Sequence, residues 1–200
     1  MLAKIFLSAT LAAALTVAGS LWIDKLYSRS SELTFPAEIS ARAKFRKPIL
    51  FFALTILFSL TDDLFLTTAI FLLMLMTFTD FEQYMLFDAM TIPFAIIGAI
   101  RVWQMSLNVH DHALAAIIGG GIFLLLAIIS SGSLGGGDVK LIAALGLWLG
   151  CMKLLNVVLI GTVSGGLAAV LMILTKKKSR GSYFAYGPYF ALSALYALLT

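Results

Sequence analysis

Cysteine is nearly absent. The 200 residues include one, Cys151, so no internal disulfide can form and no cysteine-based zinc site can be assembled. That thiol is expected to act as a small buried hydrophobe. Charge is scarce too. Asp, Glu, Lys and Arg together make 12% of the chain, against about a quarter in soluble domains, so a water-covered surface of ordinary extent is excluded. No low-complexity tract, polar interdomain linker or internal repeat breaks the sequence. What is abundant is apolar: 61% of residues are hydrophobic, the mean hydropathy is +1.02, and the apolar residues gather in runs long enough to cross a bilayer. The expected fold is an all-α polytopic membrane bundle. Residues 1–200 read as a single integral-membrane domain, with no room for a soluble domain of useful size.

Eight runs can be placed, at 6–23, 48–60, 64–79, 91–104, 113–130, 139–150, 154–174 and 183–199. The first follows Lys4 and imitates a signal peptide, but no small-residue cleavage site leads into a mature soluble domain, so it is read as a membrane helix. The second is short for a full crossing. Residues 24–47 form a short basic loop without cysteine, Thr61-Asp62-Asp63 and His110-Asp111-His112 lie in polar turns, and the sixth and seventh runs are broken near Lys153. With eight crossings, alternate loops fall on opposite sides of the membrane. Eleven of the fourteen basic residues then share one side, and only Lys4, Arg101 and Lys153 occupy the other. The basic-rich side is expected to be cytoplasmic, with both chain ends outside. Placement of the +4 net charge thus reflects topology, and no nucleic-acid partner is expected.

The most informative local feature is Gly135-Gly136-Gly137-Asp138-Val139-Lys140, an acid behind three glycines between lipid-compatible segments. A carboxylate there is costly and is a functional candidate. Glycine lets the backbone approach another element closely, which suits an acid presented to a partner. The topology puts Asp80, Glu82 and Asp88 on the same side as Asp138, whereas Asp62, Asp63 and Asp111 face the other compartment. Two carboxylates held close share one proton, one acting as base on a water and the other as acid toward a carbonyl oxygen. Such a pair cleaves an amide without a metal or a nucleophilic side chain, and it titrates as a unit.

Asp80-Phe81-Glu82-Gln83-Tyr84-Met85-Leu86-Phe87-Asp88, followed by Gly135-Gly136-Gly137-Asp138-Val139-Lys140-Leu141, resembles the two acid motifs of the type IV prepilin peptidases. These are membrane aspartyl proteases with a Gly-x-Gly-Asp signature. Ala185-Tyr186-Gly187-Pro188 is similar to the family's late Gly-Pro segment. Both acid motifs together are far more specific than either alone. The resemblance implies Asp80 and Asp138 as the catalytic pair, with Gly135, Gly136, Gly137, Lys140 and Asp88 as supporting motif residues. It also implies a prepilin or pseudopilin substrate, in pilus or type II secretion systems, whose basic leader is removed at the cytoplasmic face beside an apolar helix that docks laterally against the bundle. Two departures stand out. The family usually has Leu-Pro-Asp where this chain has Leu86-Phe87-Asp88, which bears on the local turn and on Asp88. Many members also carry a zinc-binding Cys-x-x-Cys insertion and methylate the new pilin N-terminus with S-adenosylmethionine. Residues 24–47 hold no cysteine, so zinc, other metals and cofactors are not expected, and neither is methyltransferase activity.

Ordinary packing or solvation accounts for the other features. Gly119, Gly120, Gly121, Gly161, Gly165 and Gly166 read as helix-packing positions. Glu82 reads as solvated or structural, His110-Asp111-His112 as a solvated loop rather than a metal site, and Lys176 to Arg180 as a topology anchor. Tyr183, Tyr186 and Tyr189 fit an interfacial belt. Lys140 either snorkels to the headgroups or biases the ionisation of Asp138. Two rival functions stand beside the peptidase. A small secondary transporter would need acids near mid-membrane and paired broken helices. A non-catalytic assembly factor of a pilus or secretion system is favoured only by Phe87 in place of proline.

Overall fold

Backbone N–H and C=O groups in lipid must be satisfied within their own segment, which leaves helices for a chain this apolar. A computed structural model describes residues 2–130, 134–175 and 184–200, and no strand occurs among them. The helices are α1 (Leu2–Arg29), α2 (Ile39–Arg42, entered through a 3₁₀ turn at Pro36–Glu38), α3 (Arg46–Ser59), α4 (Leu64–Gln83), α5 (Asp88–Gln104), α6 (Val109–Ile129), α7 (Gly136–Leu174) and α8 (Gly187–Leu199). Four of these are long and apolar enough to cross a membrane: α1, α4, α6 and α7. The 14 residues of α3 rise only about 21 Å, which agrees with the short second run. The expected start of the last span at Tyr183 and the basic cluster Lys176 to Arg180 lie outside the described residues.

The sixth and seventh runs fall in one hydrogen-bonded helix, but Gly150 interrupts it with φ 71° and ψ 177°. The chain folds back there. Gly119 of α6 faces both Ile142 and Leu154, Gly120 faces Ala143, and Thr162 shares a groove with Phe123, Leu126 and Ile129. Residues 136–149 therefore run antiparallel to α6, and residues 151–174 return alongside it. The break comes at Gly150 rather than near Lys153, because the turn needs a left-handed φ that glycine adopts without penalty. The restarting helix leaves orphan N–H groups, and Asp111 receives one of them: the Cys151 N–H donates to Asp111 Oδ2 at 3.2 Å. Cys151 is half-buried, with its Sγ directed at the Asp111 carbonyl at 3.4 Å.

This corrects the reading of His110-Asp111-His112 as a solvated loop. The three residues form the first turn of α6, and His112 is buried with Nδ1 2.9 Å from the Leu147 carbonyl. The polar side chains there serve the hairpin turn opposite them.

In lipid, helix association depends on close van der Waals contact, and small residues permit it. A Cβ on Gly146 would fall on the Ala116 backbone. Gly119, Gly120, Gly161 and Gly165 similarly face neighbours, whereas Gly121 and Gly166 have nothing within 4 Å among the described residues and are not packing positions there. On the α5–α7 seam, Trp148 stacks on Phe94 with ring centroids 5.3 Å apart and donates from Nε1 to the Phe94 carbonyl at 2.8 Å.

The antiparallel packing sorts the charges onto two ends. At one end Lys4 pairs with Asp62 at 2.8 Å, Arg101 with Asp63 at 3.8 Å, and Lys153 donates to the Ala197 carbonyl. Asp63 also caps α4 through the Phe65 N–H at 2.7 Å. At the other end lie Asp24, Arg46, Asp80, Glu82, Asp88, Asp138 and Lys140. This is the division that alternating crossings require.

Replacing Gly150 with Ala forces a left-handed alanine and drives its Cβ onto the Asp111 carboxylate. A loss of about 2 kcal/mol is expected, with Asp111→Ala costing about 1 kcal/mol through the lost cap. Thermal midpoints of the detergent-solubilised protein check both; unchanged midpoints would show that the turn is not built this way.

Candidate active site

Asp80 occupies the last turn of α4 and is 6% exposed. The helix ends just beyond it because Tyr84 turns left-handed, with φ 54° and ψ 39°, while its N–H closes on the Asp80 carbonyl at 2.9 Å. A tyrosine in that region is strained by about 1 kcal/mol. The strain stops the helix where the carboxylate still faces the bundle end. Asp138 arrives by the opposite device, a helix start. Gly135 precedes the first residue of α7, and Asp138 is its third helical residue, where an acid is favoured by the helix dipole. Its N–H donates to the Gly135 carbonyl at 3.1 Å, and the Gly135 N–H faces its carboxylate in return. Only the N3-acid half of a capping box is present, because glycine has no side chain to supply the other half.

The two acids, 58 positions apart in sequence, line one cleft of about 350 Å³ together with Glu32, Tyr84, Met85, Leu86, Gly135, Gly136 and Gly137. They lie close enough to interact electrostatically. Asp80 Oδ2 and Asp138 Oδ1 are buried without a hydrogen-bond partner among the described residues. Buried oxygens left unmatched are costly, so a site holding two of them is built to receive something. A larger groove of about 610 Å³ between α3, α4 and α8 is lined almost wholly by apolar side chains and offers no such chemistry. The third wall beside Asp80 is Gly187, at the start of α8. A Cβ there would sit 2.8 Å from Asp80 Oδ2, and the Gly187 N–H faces the carboxylate.

The supporting motif residues divide in role. Lys140 Nζ lies 2.7 and 2.8 Å from the two Asp88 oxygens, so its partner is Asp88 rather than headgroups or Asp138. The pair is half-exposed and contributes little to stability, but it ties the start of α5 to the start of α7. Gly137 packs directly on Leu86, where a Cβ would be 2.9 Å from the Leu86 Cβ; Gly136 has open space. Phe87 has φ −80°, a value that a proline at this position could also adopt. Its ring lies 5.9 Å from that of Tyr27.

Glu82 does not enter the cleft. Two residues after Asp80 on a helix it points about 200° away, a separation already implicit in the sequence. It is 3% exposed, its Oε1 lies 3.2 Å from Arg46 Nε, and its Oε2 accepts from the Tyr27 hydroxyl at 3.0 Å. Arg46, 4% exposed, also reaches Asp24 at 2.7 Å and the Ser20 carbonyl at 3.3 Å. This network holds the end of α4 against α1 and α3. Glu82 is therefore structural and not solvated. Nothing in the basic run Arg42, Lys44, Arg46 and Lys47 singles out Arg46, because its burial depends on contacts with α1 and α4.

Two alanine substitutions separate the glycines. Gly137→Ala must push Leu86 away and is expected to destabilise by about 1–3 kcal/mol, while Gly136→Ala should stay within about 0.5 kcal/mol of the parent. Denaturation of the two variants side by side tests the distinction; equal effects would refute it.

A model of the type IV leader peptidase family matches residues 66–170, more than half of the chain and including both Asp80 and Asp138. The chain is 31% identical over 141 residues to a prepilin leader peptidase/N-methyltransferase from Legionella pneumophila, covering 68% of this chain and 49% of that protein. A protein of the same name from Neisseria gonorrhoeae is 32% identical over 124 residues, covering 59% and 42%. The chain thus spans about half the length of these curated relatives. No solved structure matches it significantly. With the family match running through both acid motifs and the cleft they line, this chain belongs to the type IV leader peptidase family.

Proposed function

We propose that the chain is a membrane aspartyl endopeptidase that removes leader peptides from prepilin- or pseudopilin-like proteins, with Asp80 and Asp138 as its catalytic residues. The observation that carries this reading is the shared cleft, in which each acid keeps a buried carboxylate oxygen free of any described partner. The site lies at the end of the bundle that carries most of the basic residues, which supports a cytoplasmic location. Both acids sit at that end and not at mid-membrane, which disfavours the transporter alternative, and two available carboxylates are what a non-catalytic relative would have no need to keep.

In this mechanism the two carboxylates share one proton. The ionised member takes a proton from a water between them as its oxygen adds to the scissile carbonyl carbon, and the protonated member gives its proton to the carbonyl oxygen. Collapse of the tetrahedral intermediate breaks the C–N bond. The proton taken from water goes to the leaving nitrogen, one hydroxyl of the intermediate returns its proton to the other carboxylate, and a carboxylic acid and an amine are released with the pair again sharing one proton. The Gly187 N–H, facing Asp80, helps to fix that carboxylate. The whole chain acts as one peptidase unit, with residues 24–47 on the same face as the cleft. Peptide cleavage alone is assigned: the relatives' names include an N-methyltransferase, but residues 24–47 contain no cysteine and Cys151 stands at the opposite end of the bundle.

Asp80→Asn and Asp138→Asn are each expected to lower cleavage of a prepilin by on the order of a thousandfold or more while the protein still inserts and folds. A mobility-shift assay on substrate with purified protein checks this, and retained processing by either variant removes that residue from the pair. Gly187→Ala should displace the Asp80 carboxylate and cut kcat roughly ten- to hundredfold with the fold intact; an unaltered kcat would mean that Gly187 does not position the acid.

A further inference from the structure

The segment after α1 is strapped to the end of the helix that carries Asp80. Gln83 accepts from the Phe35 N–H at 2.8 Å and donates to the Phe35 carbonyl at 3.2 Å. Arg42 stacks on the Phe35 ring, 3.8 Å from its centroid, and donates to the Phe81 carbonyl at 3.2 Å. Three residues before Phe35 the strap reaches the cleft, where Glu32 joins Asp80 and Asp138 in its wall. Glu32 is exposed, and its carboxylate makes no ion pair or hydrogen bond with the described residues. Its backbone N–H is held by Ser30 Oγ at 3.4 Å. Among the described residues the cleft wall thus holds three carboxylates and no lysine, arginine or histidine, and the nearby Lys140 is occupied by both oxygens of Asp88. In the same cleft the buried Asp80 Oδ2 has no hydrogen-bond partner among the described residues, an unmet acceptor that a ligand would satisfy.

We propose that Glu32 is a specificity-determining residue: its carboxylate binds a lysine or arginine side chain of the peptide lying in the cleft, beside the bond addressed by Asp80 and Asp138. This rests on the peptidase reading of the cleft. The catalytic pair, sharing one proton, keeps one negative charge, and that charge is committed to the water. Glu32 adds a second negative charge at the rim that none of the described residues neutralises. A cationic side chain satisfies it, a neutral one leaves it in water, and an acidic one is repelled.

The test uses the full chain in detergent and three peptides identical except for Lys, Gln or Glu at one position next to the cut. The parent protein should rank them Lys, Gln, Glu by kcat/KM. Glu32→Gln should lower kcat/KM on the Lys peptide about fivefold, mainly through KM, and compress the ranking. Glu32→Lys should invert it, favouring the Glu peptide. A ranking that is the same in all three proteins overturns the inference while leaving the peptidase reading in place. A second arm measures binding of the fluorescent Lys peptide to Asp80→Asn protein with and without Glu32→Gln, expecting about fivefold weaker binding with the second substitution. If nothing is cleaved but binding still shows this charge preference, the peptidase reading fails and Glu32 remains a cation-binding residue. No charge preference in either arm overturns the inference.

Discussion

A carboxylate at the edge of an apolar bundle must either be matched by a partner or be held at a cost by the packing around it, and the end of this molecule that carries Asp80 is organised around that constraint. Three chain segments converge there. A helix is stopped by a left-handed tyrosine, another is started behind glycine, and a third presents a glycine where any larger residue would press on the acid. Of these devices the left-handed tyrosine carries local strain, and together they give two carboxylates a common cavity.

Partnering separates the acids by role. Glu82 and Asp24 are matched to Arg46, Asp88 to Lys140, Asp63 to Arg101 and Asp62 to Lys4. The matched acids hold helices together, and the most buried of them, Glu82, is held by both Arg46 and the Tyr27 hydroxyl. Asp80, Asp138 and Glu32 are left without side-chain matches among the described residues, and all three face the same cleft. Carboxylates gathered in one place without a side-chain partner, while the acids named above are paired, support the proposed substrate site.

The hairpin at Gly150 has a consequence at the other end of the bundle. By folding α7 back on itself it brings residues 151–174 to the α8 side, where Phe190 packs on Gly161 and Tyr186 on Gly165. That contact sets the height of α8 and so brings Gly187 level with Asp80. A turn clasped by Asp111 and His112 at one end thereby helps to shape the cleft at the opposite end.

The sequence by itself determined the number and order of the apolar segments, the sorting of basic residues between two ends, and the identity of the acid motifs, because hydropathy, charge placement and short spacings are local properties of a chain in lipid. Residues 6–23 and 64–79 were legible in this way, and so was the short span at 48–60. Only the tertiary structure decided which charges would be matched. Arg46 is buried while its neighbours in the basic run are not, Lys140 chooses Asp88, and Gly137 is packed where Gly136 is free. It also moved His110-Asp111-His112 from a loop to a helix start and brought Glu32 to the cleft. The physical reason is common to all of them: a charge or a glycine acquires its role from the atoms opposite it, and those atoms are supplied by segments remote in the chain.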